Sequence, residues 1–119
     1  MADDFLHRPF ELDRLRRLGA NISLGTDSLA SAESLSLFKE MRLLRKTHPL
    51  MRPQEILEMV TKNPARALRH QSRLGEITPG AYADLIALPF SAKLPSVYDE
   101  ILEQDHPVRW TMSHGKIIV

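Results

Sequence analysis

The 119-residue sequence contains no cysteine. That excludes disulfides and thiolate metal sites, so a metal centre here would have to use histidine and carboxylate donors. A charge imbalance is missing too: 16 lysines and arginines stand against 15 aspartates and glutamates, a formal charge of +1. Such a balance leaves no electrostatic footprint for nucleic acid. The single tryptophan, Trp110, makes no stacking platform for bases. No apolar run approaches the roughly 20 residues that span a bilayer, and the opening MADDFLHRPF has no apolar signal core. The expectation is a cytoplasmic protein with neither nucleic acid nor membrane as partner. Internal repeats, a phosphate-cradling glycine pattern and a nucleophile elbow are also lacking.

What is present is a globular composition, 43% apolar and 26% charged, long enough for one small domain. Phe10, Leu12, Leu15 and Leu18 space a short amphipathic helix that Gly19 stops. Beside them Arg14, Arg16 and Arg17 alternate with Glu11 and Asp13, the pattern of a solvated face. Asn21 to Leu24 alternates polar and apolar, a strand signal that ends on Gly25-Thr26. A longer helix is predicted from about Ser31 to Thr47, with Leu37, Phe38, Met41 and Leu44 on one stripe, stopped by His48-Pro49. Arg52-Pro53 opens another helix, with Ile56, Leu57 and Val60 buried. Asn63-Pro64 reads as the N-cap and first turn of the next.

After Gly75 the pattern changes. Pro79-Gly80 predicts a turn, and Ala83 to Leu88 a strand buried on both faces. Tyr98 to Glu103 reads as a helix and Val108 to Met112 as a strand. Ser113 to Lys116 forms a tight turn leading into a last strand over Ile117 to Val119. The chain therefore closes within an apolar strand and offers a lone strand before several helices. A lone strand leaves its backbone groups unpaired. Both features point to a piece of something larger, or to a homo-oligomer or domain swap that supplies the missing layers.

Asp27 is the leading candidate for chemistry. An acid just past the C-terminal end of a sheet or barrel strand stands where ligands bind in such folds. The same residue type at the same place also caps helices and shapes turns. Ser28 and Ser31 either orient Asp27 by hydrogen bonding or satisfy the start of the following helix. His7, His48, His70, His106 and His114 are scattered and form neither an H-x-H nor an H-x-x-x-H pair. A metal site takes about three or four ligands, so this chain is a poor self-contained one.

Four stretches in order nevertheless resemble the C-terminal portion of a metal-dependent amidohydrolase, in the group of cytosine, guanine and adenosine-analogue deaminases and chlorohydrolases. LGTDS (24–28) resembles the end of the eighth barrel strand, with LSLFKEMRLL (35–44) as the helix behind it. TKNPARAL (61–68) is similar to the following helical segment. LGEITPGAYADLIAL (74–88) resembles the return into a small β-sandwich, and MSHGKIIV (112–119) its closing hairpin. The resemblance covers nearly all of residues 9–119. It implies an α/β fold: the last strand and flanking helices of a (β/α)8 barrel in residues 1–75, then part of the composite β-sandwich in residues 76–119.

The resemblance also implies a role. Asp27 matches the aspartate that binds zinc or iron and shuttles a proton, while water attacks a ring carbon carrying an amino group. The whole enzyme would hydrolyse a C–N bond of a purine- or pyrimidine-like heterocycle, a small-molecule substrate. The departures are the H-x-H of the first barrel strand, the histidines of the fifth and sixth strands and the glutamate that handles the ring proton, none of which this sequence has. The expectation is an inactive isolated chain that binds no metal stably. The alternative is a non-catalytic binding or oligomeric module derived from such an enzyme.

Overall fold

The described residues form short helices and strands in the order α1 (Leu12–Arg17), α2 (Leu37–Thr47), α3 (Pro53–Glu58), α4 (Lys62–Ala67), β1 (Leu85–Ala87), α5 (Val97–Leu102), β2 (Trp110–Ser113) and β3 (Lys116–Ile117). They belong to a computed structural model in which residues 11–26 and 36–119 are described. The helical stripes read from sequence are the ones that meet. α3 lies against α2 and α5, and α2 also touches α5. Their apolar sides supply Met41, Ile56, Met59 and Leu102, which close with Leu12 and Met51 into one buried cluster. Ile56 and Leu102 are fully buried. Three of the six cluster residues are methionines, unbranched side chains that fill irregular gaps between short helices.

Polar contacts tie the same helices together at their rims. Arg45 of α2 pairs with Asp99 of α5, and the Arg42 guanidinium donates to the Gln104 carbonyl. Arg16 of α1 pairs with Glu55 of α3. α5 starts on a capping arrangement: Ser96 accepts from the Asp99 N–H at 3.2 Å while its hydroxyl donates to Asp99 Oδ2 at 2.7 Å.

The sheet is antiparallel, in the order β1-β2-β3. Leu85 faces Met112 and Ala87 faces Trp110, while Ser113 faces Lys116. The turn falls at His114-Gly115, as the sequence predicts, and Asp84 explains its coupling to the distant A-D-L motif. The Asp84 carboxylate accepts the His114 N–H at 2.8 Å, and the Ala83 carbonyl accepts the Gly115 N–H at 3.0 Å. The Tyr82 ring rests 4.7 Å from that of His114.

Three expectations are corrected here. Residues 21–26 form no strand, because no other described strand lies alongside to complete a ladder. Their side chains still alternate, with Ile22 and Leu24 partly buried on the core and Asn21 and Ser23 exposed. β1 is not buried on both faces, since Ile86 is half exposed and no second layer of described residues covers it. Asn63 is not the N-cap of α4. Thr61 holds that position, its hydroxyl turned back to donate to the Leu57 carbonyl at 2.9 Å, and Asn63 lies inside the first turn. Among the described residues, no helix is long and apolar enough to cross a membrane.

Candidate functional site

The site read from sequence begins where residues 21–24 run over the C-terminal end of α3 and the start of α4. The Leu24 N–H donates to the Met59 carbonyl at 3.0 Å. The Asn63 Nδ2 donates to the Ile22 carbonyl at 2.9 Å, and the Asn21 Nδ2 donates to the backbone carbonyl of Asn63 at 2.8 Å. An extended segment with no described partner strand thus has two of its backbone groups, the Leu24 N–H and the Ile22 carbonyl, satisfied by a helix end and a carboxamide. Packing of Ile22 and Leu24 on the core fixes which face turns inward.

Asp27, Ser28 and Ser31, together with His7, lie outside the described residues. The other four histidines are not brought together. His48 ends α2 and contacts the Thr47 hydroxyl at 3.0 Å, His114 sits in the hairpin turn, and His70 and His106 are exposed in loops. Among the described residues, no group of three or more histidines and carboxylates could hold a metal ion. The donor set on these residues therefore does not fit the metal that the resemblance implies, and any such ion would need ligands from beyond them.

Two buried carboxylates invite a functional reading, and their partners answer it. Glu100 of α5 accepts the Ser91 hydroxyl at 2.8 Å and the Lys93 and Leu94 N–H groups at 2.8 and 3.2 Å. The Ser91 hydroxyl, then the backbone donors, hold its carboxyl below the usual range against the opposing effect of burial. Asp99 is lowered likewise, first by the Ser96 hydroxyl and then by Arg45. Both are firmly ionised at neutral pH, so neither is poised to exchange a proton there. Glu100 instead latches the 91–94 loop onto α5. The Ser96–Asp99 contact is local, three residues apart, whereas the Arg45–Asp99 pair had no local sequence signal, its partners lying 54 residues apart.

The pH consequence follows from the sign. Both groups have folded values below their ordinary ones of 3.8 and 4.5. The stability they contribute is complete above those ordinary values and is lost as pH falls through the lowered folded values. Thermal melts of the native chain and Glu100→Gln are expected to differ most at neutral pH and to converge on acidification below the ordinary glutamate value. A gap that stays constant into the acid range would refute this.

Recesses among the described residues lie elsewhere, two of them as follows. One of about 690 Å³ lies beside Arg16, Arg17, His48 and Leu50, and one of about 480 Å³ lies between α4 and β1, bordered by Gly75, Tyr82 and Ile86. Neither is lined by residues 21–26.

Comparison with known proteins joins these parts. The family model described as "Amidohydrolase family" matches residues 11–118, across both the helices and the sheet. The 5-methylthioadenosine/S-adenosylhomocysteine deaminase of Syntrophobacter fumaroxidans is 36% identical over 119 residues, covering 89% of this chain and 27% of that protein. That of Thermococcus sibiricus is 38% identical over 121 residues, covering 91% and 28%. The 5'-deoxyadenosine deaminase of Methanothermobacter thermautotrophicus is 42% identical over 82 residues, covering 63% and 19%. The chain spans roughly a quarter of the length of the first two, by the shares of 27% and 28%.

Proposed function

The chain belongs to the amidohydrolase family, and we propose that it is the C-terminal part of a cytoplasmic deaminase that hydrolyses the C–N bond of an amino group on a purine-like ring. The observation that carries this reading is a family match running unbroken through residues 11–118, with relatives named as deaminases of adenosine-type compounds. Residues 1–75 then correspond to the end of the barrel and residues 76–119 to part of the β-sandwich.

In this reading Asp27 is the group that the chain supplies to the reaction. Its carboxylate receives a proton from the attacking water and passes it toward the departing amine, the work of a general base and then a general acid. Ser28 and Ser31 supply hydroxyls that orient it. In the whole enzyme Asp27 would be one ligand of a zinc or iron ion, whose chemistry would be to acidify the water. This chain offers that ion one carboxylate, and the histidine ligands come from elsewhere.

The isolated chain is accordingly expected to release no ammonia above background from 5-methylthioadenosine, with or without added zinc, and to carry less than stoichiometric metal. Stoichiometric metal together with robust turnover would sink this. The exposed Ile86, Ile117, Ile118 and Val119 around the sheet favour a second reading, an oligomeric module. Light scattering on the same sample separates the two: a monomer counts against the module.

A further inference from the structure

We propose that the recess where the end of α1 meets the turn after α2 is a binding site for a small organic anion with an apolar body. The proposal is independent of the reading of Asp27. The recess measures about 690 Å³, within the range of roughly 300–1,000 Å³ usual for small-molecule sites. Its lining has two parts of different chemistry. Helix α1 contributes Asp13, Arg16 and Arg17, and the turn after α2 contributes Pro49, Leu50 and Met51.

The charge balance of the first part selects an anion. Arg16 is committed: it pairs with Glu55 and lies 3.6 Å from Asp13. Asp13 is the carboxylate of this lining, and Arg16 offsets it. Arg17 is exposed and has no carboxylate partner among the described residues. Its guanidinium offers a planar fork of donors, the shape that suits a carboxylate or a phosphate.

A cation at a helix C-terminus also answers the helix dipole, which accounts for Arg17 without a ligand. It does not account for Leu50. The His48 carbonyl accepts the Met51 N–H at 3.1 Å, and Pro49 fixes φ at the second position of that turn. Met51 enters the core, while Leu50 is 98% exposed. A stiff turn thus holds a leucine in water on the lining of a recess that carries an unpaired guanidinium. An apolar body laid against Pro49 and Leu50 removes that surface from water while its anionic group meets Arg17. A bare anion uses only one part of the site, and an uncharged apolar molecule only the other.

NMR titration of the full chain with phenyl phosphate tests this, with inorganic phosphate and benzyl alcohol supplying the head and the body alone. Phenyl phosphate is expected to bind saturably, with shifts centred on the Arg17 side chain and the Leu50 methyls. Each half alone should bind at least about fivefold more weakly. Arg17→Gln should weaken phenyl phosphate about tenfold. Leu50→Ala should weaken it about fivefold and leave inorganic phosphate unchanged.

Arg14→Gln is the control. It removes the same charge from the same helix, but Arg14 pairs with Glu11 and does not line the recess. At physiological salt its affinity should stay within about twofold of native. Arg17 and Leu50 are both exposed, so their replacement leaves the core intact, and native exchange protection at the fully buried Ile56 verifies it. Absence of saturable shifts, or shifts centred on other residues, would overturn the proposal. So would an equal loss in Arg14→Gln, or native affinity for phenyl phosphate in Leu50→Ala, since either leaves only a surface charge attracting any anion.

Discussion

Gly75→Ala is expected to destabilise the chain by about 3 kcal/mol, combining backbone strain with overpacking. Gly75 has φ of +90°, where an L side chain is strained. A Cβ there would also come within 2.7 Å of the Thr61 carbonyl oxygen and 3.0 Å of the Ala65 Cβ. The oxygen cannot move aside cheaply, because it accepts the Ala65 N–H at 3.3 Å in the first turn of α4. Relief would have to come from displacing α4 or the 70–77 connection.

Gly80 supplies the control. Its φ is +89°, yet a Cβ added there meets nothing within 4 Å. Gly80→Ala therefore carries the strain alone, about 1 kcal/mol. Urea unfolding of the native chain and both variants checks the difference; equal losses at the two glycines would dismiss the close approach. The damage from Gly75→Ala should also reach the segment before Asp27, because the turn it pushes holds Asn63. Leu24 exchange should then quicken in Gly75→Ala and not in Gly80→Ala.

The features legible in sequence are those with local causes. α2, α3 and α5 follow apolar stripes at helical spacing, and His48-Pro49 ends α2 where a pre-proline residue avoids the helical region. The hairpin turn at His114-Gly115 was announced by its residue types, with both in positive φ. Alternation over residues 21–24 marks Ile22 and Leu24 as one face, and that face packs on the core. It could not give a partner: a period of two reports which side of a segment is buried, whereas a strand exists only when another backbone lies beside it.

Asn63 shows the same limit from the other direction. An asparagine before a proline is a good local N-cap signal, but Thr61 took the cap position and Asn63 became a clamp on Ile22, 41 residues away. Nothing within the motif records that distant carbonyl. The Glu100 latch on the 91–94 loop is similar, since an acid in the first turn of a helix reads as complementing the helix dipole and carries no mark of the loop donors that surround it. Asp27 is the reverse case. Its local pattern suits a cap or turn residue as well as an active-site acid, and the order of four separated motifs is what weighs toward chemistry.

Asp27→Asn is expected to have the largest effect on catalysis. The appropriate host is a chimera in which this chain replaces the matching quarter of the Syntrophobacter fumaroxidans relative, whose match covers 27% of its length. Asparagine keeps the size of aspartate and an oxygen that can accept a hydrogen bond, but it cannot take up a proton at neutral pH. Loss of a general base costs about 10² to 10⁴ in rate. The loss should fall on kcat with KM little changed, because a proton acceptor acts in the transition state and not in ground-state binding. The acidic limb of the rate profile, which reports protonation of the base, should vanish with it. In the proposed reading Ser28 and Ser31 orient the carboxylate without replacing it, so Ser28→Ala and Ser31→Ala should each cost far less. Metal content measured on the same samples separates two roles: a lost ligand lowers occupancy, whereas a lost proton acceptor leaves occupancy intact and still removes the acidic limb. Turnover within about tenfold of the unmutated chimera, with that limb retained, would return Asp27 to the helix-capping role its local sequence suggests.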